Sequence, residues 1–166
     1  MLDVTGSGQM DLVLMASGEQ AIHVLHRKSD GSFEDVDAVA AGLKVAGRAV
    51  ACAVGDYDAD GLNDLAVALD HGVRLFRNLG NGKFQDVTAT VGATFGVPAV
   101  ARGAAYGDIY NDGALDLLVS TNGGPVHLFR NSGATNNSLR IKLVGTRSNR
   151  DGIGTVVRVA AGSDIQ

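Results

Sequence analysis

The sequence predicts an all-β fold, a partial β-propeller of four-stranded blades, on three observations. An internal repeat returns about every fifty residues, short apolar runs alternate with Asp- and Gly-rich turns, and the 166 residues include 23 Gly with only 5% aromatics and no Trp. The repeat carries most weight. The segment from Val73 to Val87 (VRLFRNLGNGKFQDV) lies over that from Ile22 to Val36 (IHVLHRKSDGSFEDV), and the strand core returns as Val126 to Asn131 (VHLFRN). Upstream, Asp56 to Leu65 (DYDADGLNDL) is answered by Asp108 to Leu117 (DIYNDGALDL) and, more weakly, by Asp3 to Leu12 (DVTGSGQMDL).

The complete middle unit reads as four strands over residues 49–55, 64–69, 72–78 and 84–89, the content of one propeller blade. Inner strands of a blade are covered on both faces, so the second reads as an unbroken apolar run, Leu65 to Leu69. The small residues of 49–55 and 103–107 suit the crowded centre, where wider side chains would hold blades apart. Val36, Val39, Ala40, Leu43 and Ala46 follow a helical spacing that Gly42 and Gly47 interrupt, so this stretch reads as the connection between blades with one short helical turn.

The units run over 1–47, 48–100 and 101–138. The first lacks its opening strand and the third is expected to be completed by 139–144, giving about two and a half to three blades before a C-terminal β-rich tail, 139–166. Propellers close with roughly four to eight blades. The chain therefore reads as a piece of a longer propeller, with homo-oligomerisation as the other route to closure.

Composition removes several functions. Fourteen Lys and Arg against 18 Asp and Glu give a net charge of −4, leaving no basic surplus for a phosphate backbone, so nucleic acid is not an expected partner. No apolar run approaches the roughly 20 residues of a membrane span, and no signal peptide is visible. Cys52 has no second cysteine to pair with and reads as a small core residue. No nucleophile with a base, histidine metal cluster or phosphate loop is recognisable, so no enzyme is expected. His23 and His127 share a repeat position with Arg74, and His26 and His71 have no obvious partner. Gly123-Gly124-Pro125 is a hairpin turn, and Arg147, Arg150 and Asp151 read as a solvated turn.

The acidic loops carry the chemistry. Asp56-x-Asp58-x-Asp60-Gly61-x-x-Asp64 places carboxylates at alternate positions of a tight loop, converging on one point while Gly61 permits the bend. An all-oxygen, flexible shell suits Ca2+: side-chain oxygens from Asp56, Asp58, Asp60 and Asp64, and the carbonyl of Leu62. This is not an EF-hand, whose bidentate Glu would fall on Val67. The third loop offers Asp108, Asp112, the carbonyl of Ala114, and Asp116, but has Tyr110 in place of a carboxylate. The first offers Asp3 and Asp11 with the hydroxyls of Thr5 and Ser7. Ligand charge orders the expected affinities as middle, third, first.

These motifs resemble the FG-GAP or VCBS repeats of integrin-alpha-like propellers, through Gly55 to Leu65, Leu75 to Asn78 and Gly80 to Phe84. The segment 139–162, above all Ser148-Asn149-Arg150-Asp151-Gly152-Ile153-Gly154, resembles the opening of the ASPIC/UnbV module that follows such repeats in the cartilage acidic protein family and its bacterial relatives. The resemblance implies a calcium-stabilised propeller that is secreted, periplasmic or on the cell surface, a non-catalytic scaffold for adhesion or protein interaction. The alternative it leaves is a carbohydrate-binding or lyase-like propeller domain using calcium. A protein or a glycan is the implied partner.

Overall fold

Turns rich in Gly and Asp cut the chain into strands of two to seven residues, which a computed structural model describes over 2–4, 8–16, 21–133, 139, 141–147, 149–161 and 164–165. The central sheet is a four-stranded meander of β4 (Ala49–Gly55), β5 (Asp64–Leu69), β6 (Gly72–Asn78) and β7 (Phe84–Asp86), all neighbours antiparallel. Before it stands the sheet β1 (Leu12–Met15), β2 (Ile22–Arg27), β3 (Phe33–Val36), and after it β8 (Ala101–Gly107), β9 (Asp116–Thr121), β10 (His127–Phe129). The short β11 (Ala160–Ala161) and β12 (Asp164–Ile165) pair with each other. Ala93–Gly96 is a 3-10 turn, and no helix among the described residues is long and apolar enough to cross a membrane.

The repeat recurs in the registers. Gly55 faces Asp64 and Gly107 faces Asp116 at the loop ends, and both ladders carry an irregularity in the same place, between Ala49 and Ala51 and between Ala101 and Gly103. Among the described residues the first sheet has three strands, which correspond to β5, β6 and β7. Every residue of β5 is buried. β4 and β8, the innermost strands of neighbouring blades, lie against each other, and a Cβ on Gly55 would stand 3.2 Å from the Tyr106 ring and 3.0 Å from Leu115. Small residues at the centre are thus a consequence of close approach.

Two apolar cores lie between the sheets. Leu2, Ile22, Val24, Leu43, Leu65, Val67, Phe76 and Phe84 fill the first, with Cys52 packed at its margin. Ala66, Ala68, Leu75, Ala101, Leu117 and Val119 form the second, capped by Phe95 and Phe129 with ring centroids 4.4 Å apart. The expected helical turn exists: Ala41 N–H donates to Asp37 O at 2.9 Å, the Asp37 carboxylate caps Ala40 N–H, and Gly42, at φ 93°, lets Leu43 N–H return to Ala38 O.

Two strand expectations need correction. The strand expected over 84–89 stops at Asp86, because the Thr88 hydroxyl accepts Leu75 N–H at 3.0 Å in place of a backbone carbonyl and itself bonds the Asp86 carboxylate. Residues 139 and 141–145 form no strand, with Leu139, Ile141 and Val144 exposed. Alternation of Leu139, Ile141 and Leu143 gives a strand period but specifies no partner edge, and β10 presents only three residues. Nearby, Gly145 N–H donates to Arg150 O, while Asn149 bonds both the N–H and C=O of Ile153, an exposed tight turn that includes Arg147, Arg150 and Asp151.

Candidate metal centre

The middle and third acidic loops leave the ends of β4 and β8 and return into β5 and β9, and a Leu2–Asp11 bridge closes the first loop, so in each the first and last aspartates stand close together. In the middle loop Asp56 accepts Asp60 N–H at 3.1 Å and Gly61 N–H at 2.9 Å, and Asp60 Oδ1 accepts Leu62 N–H at 2.9 Å. Ala59 and Gly61 hold the left-handed conformation that folds the loop back, at φ 58° and 89°. The third loop repeats this: Asp108 accepts Asp112 N–H and Gly113 N–H, Asp112 accepts Ala114 N–H, and Asn111 and Gly113 have φ 61° and 89°. In the first loop Asp3 accepts Gly8 N–H at 2.7 Å; Thr5 and Ser7 lie outside the described residues.

The last aspartate of each loop does something the sequence does not announce. Asp64 is buried and accepts Tyr57 N–H at 3.0 Å through one oxygen and Asn78 N–H at 2.8 Å through the other. Asp116 accepts Ile109 N–H and Asn131 N–H, and Asp11 accepts Val4 N–H and Arg27 N–H, in the same arrangement. These three carboxylates staple the start of the loop to the end of the third strand of the blade. Their presence in all three loops, including the one short of other carboxylates, is the signal that could have revealed the staple.

Asp56, Asp58 and Asp64 each offer an oxygen within 4.8 Å of the others, the cluster among the described residues suited to a metal ion. The donor set is all oxygen and anionic, which fits a hard dication such as Ca2+. Asp60 lies to the side and shares Arg77: Arg77 Nη2 is 2.9 Å from Asp60 Oδ2, and Arg77 Nε is 2.7 Å from Asp58 Oδ2. Burial raises the Asp58 carboxyl, with Asp60 adding to it and Arg77 opposing. Burial pushes Asp64 up to about 7, reinforced by Asp58 and Asp60 and opposed by the two N–H donors. Empty of metal, the loop holds its carboxylates at a cost.

That cost has a sign. A carboxyl whose pKa is higher folded than unfolded contributes stability below about pH 4 that is lost as pH rises through about 7. In EDTA, the wild-type chain should therefore lose melting temperature relative to Asp64→Asn, which cannot titrate, between pH 4 and 8. A difference that stays constant with pH contradicts the assignment.

In the third loop Tyr110 takes the place of Asp58, and the Arg130 guanidinium lies 4.2 Å over its ring and 3.7 Å from Asp112. This loop thus has one carboxylate fewer than the middle one. The sequence reading left His26 and His71 without partners, but His26 Nδ1 lies 2.8 Å from Asp11 and His71 Nδ1 2.7 Å from Asp70. Asp70 precedes His71 in the turn between β5 and β6, and Asp11 stands opposite His26 where the β1–β2 register runs on by one residue. His23 meets Asp35 at 3.3 Å, and the Gly123-Gly124-Pro125 segment turns β9 into β10 with Thr121 Oγ1 on Pro125 O.

The family model for the FG-GAP-like repeat matches residues 3–67 and 56–119. The chain belongs to the FG-GAP-like repeat family. Each matched FG-GAP-like repeat opens on an acidic loop, at Asp3 or Asp56, and runs through the next loop into an inner strand, ending at Val67 or Val119. The two matches overlap on the middle loop and the start of β5, so the best-formed acidic cluster belongs to both. No curated protein matches the chain.

Proposed function

We propose that this FG-GAP-like repeat chain is a calcium-binding, non-catalytic scaffold whose acidic loops are pinned by Ca2+ and whose loop-bearing face meets a protein partner, in adhesion or assembly outside the cytoplasm. The observation that carries the reading is the convergence of Asp56, Asp58 and Asp64 within 4.8 Å around a buried, destabilised carboxyl. Calcium would neutralise that charge and add free energy to the folded state, about 2.7 kcal/mol at a hundred times its dissociation constant. Affinity falls with ligand charge, and a weak site would suit compartments with millimolar calcium. On the sequence resemblance at Asn149 to Gly154, residues 139–166 are read as the start of an ASPIC/UnbV-like module following the repeats.

The test is thermal unfolding in EDTA and across a calcium series. The melting temperature should rise with calcium, not with equal magnesium, and the rise should be lost in Asp60→Ala or Asp58→Ala but kept in Asp30→Ala, whose exposed carboxylate only closes a turn onto Ser32. Equal responses from all variants contradict the site.

One observation favours the glycan reading as a second possibility. Tyr57 and Tyr106 line a cavity of about 230 Å³ between the second and third blades, beside Asp116. Aromatic faces next to a cation loop can receive a sugar ring. Binding on a glycan array that is lost in Tyr106→Ala, with folding retained, would select it over the protein scaffold.

A further inference from the structure

The cation nearest the middle loop is already part of the chain. β6 places Phe76 and Asn78 on one face and Leu75 and Arg77 on the other, and at the strand end the partly buried Arg77 side chain spans Asp58 and Asp60 at 2.7 and 2.9 Å. The same strand position carries a basic side chain in every unit, and in every unit it meets the acidic loop: His26 on Asp11, Arg77 on Asp58 and Asp60, Arg130 on Asp112.

The third unit separates two explanations for this position. If the arginine served only to orient carboxylates for a metal, it would have little to do where the middle carboxylate is missing. Arg130 nonetheless keeps its place, exchanging the lost carboxylate for the face of Tyr110 at 4.2 Å. The basic residue follows the loop, whether or not the loop keeps its carboxylates.

We infer that Arg77 is a built-in counter-cation, which holds the Asp58 and Asp60 carboxylates in the metal-free protein and competes with a divalent cation for them. This deepens the calcium reading and rests on it. A guanidinium fork bridges two carboxylates where a point charge would hold one, so lysine is only a partial substitute. A dication arriving among the same carboxylates meets the repulsion of a fixed positive charge a few ångström away, and its affinity falls accordingly. The 40% exposed side chain can swing into water when displaced. Arg77 is thus a positioning residue with opposite effects on the two states: it stabilises the empty loop and weakens the filled one.

The experiment measures calcium affinity by calorimetry and melting temperature in EDTA for the full chain, Arg77→Met and Arg77→Lys. Arg77→Met should bind Ca2+ roughly tenfold more tightly at low salt and melt lower in EDTA, with Arg77→Lys between it and the wild type. Calcium binding by the wild type that is unchanged or weakened in Arg77→Met overturns the inference. Absence of binding by both proteins, each folded, overturns the calcium reading itself and the competition with it. Should Arg77→Met fail to fold, the wild-type chain still decides: the Arg77 Nε–H resonance should shift towards that of a solvated arginine as calcium saturates the site, and an unmoved resonance overturns the inference.

Discussion

Replacing Asp64 with alanine, measured in EDTA at pH 5, should destabilise the chain by about 2–6 kcal/mol, because two N–H groups lose their acceptor and each unsatisfied buried group costs roughly 1–3 kcal/mol. The two donors are Tyr57 N–H and Asn78 N–H, the second on a residue with no exposed surface. At pH 8 the loss should be smaller, since alanine also removes a buried carboxyl that ionises there against its environment. Asp30→Ala is the matched control: its carboxylate bonds Ser32 at the surface, and its removal should cost no more than about 1 kcal/mol. Urea unfolding of the three proteins checks the prediction. Equal losses for Asp64 and Asp30 would mean that the staple does not hold the loop to the strand.

The second large effect is expected at Gly42. A Cβ there would stand 2.1 Å from the Phe84 carbonyl oxygen, a backbone atom that cannot turn aside, and Gly42 also holds φ 93°. Relief requires moving β7, which breaks the 2.7 Å bond from Phe84 N–H to Ala41 O and lifts the Phe84 ring from the first core. Strain, a lost buried hydrogen bond and disturbed packing together should exceed about 3 kcal/mol for Gly42→Ala. Gly96→Ala meets no atom within 4 Å and has no such backbone constraint, so it should be close to neutral. Equilibrium unfolding of the pair reads the difference directly, and similar stabilities would place the β7 contact wrongly.

Much of the fold was legible because the repeat and the strand chemistry agree. The bounds of β4, β5 and β6 follow from apolar runs set between Asp-Gly turns, and the registers repeat between blades. The end of β7 was not legible, since it depends on one hydroxyl, that of Thr88, replacing a carbonyl in the ladder. Residues 139 and 141–145 show the limit of periodicity, for an alternating segment can be a strand only where an edge receives it.

At the acidic loops, spacing identified the converging carboxylates Asp56, Asp58 and Asp64 but gave one role to aspartates that have two. Asp64 is a backbone acceptor as well as a candidate ligand, and Asp60 lies against Arg77 rather than in the tightest group. Arg77 escaped notice because nothing local links it to Asp58, nineteen positions earlier; the link runs through the pairing of β5 with β6. Comparing residues 26, 77 and 130 across the repeat would have pointed to it, since all three are basic.

The central claim, that Asp56, Asp58 and Asp64 take a hard cation, is tested most directly by terbium luminescence, because Tyr57 sits within the loop as an energy donor. Excitation of tyrosine should give sensitised Tb3+ emission that saturates, is displaced by calcium far better than by magnesium, and is strongly reduced in Asp58→Asn, with Tyr110 in the third loop as the source of any remainder. A folded chain that gives no sensitised emission, or emission that Asp58→Asn leaves intact, would contradict the claim.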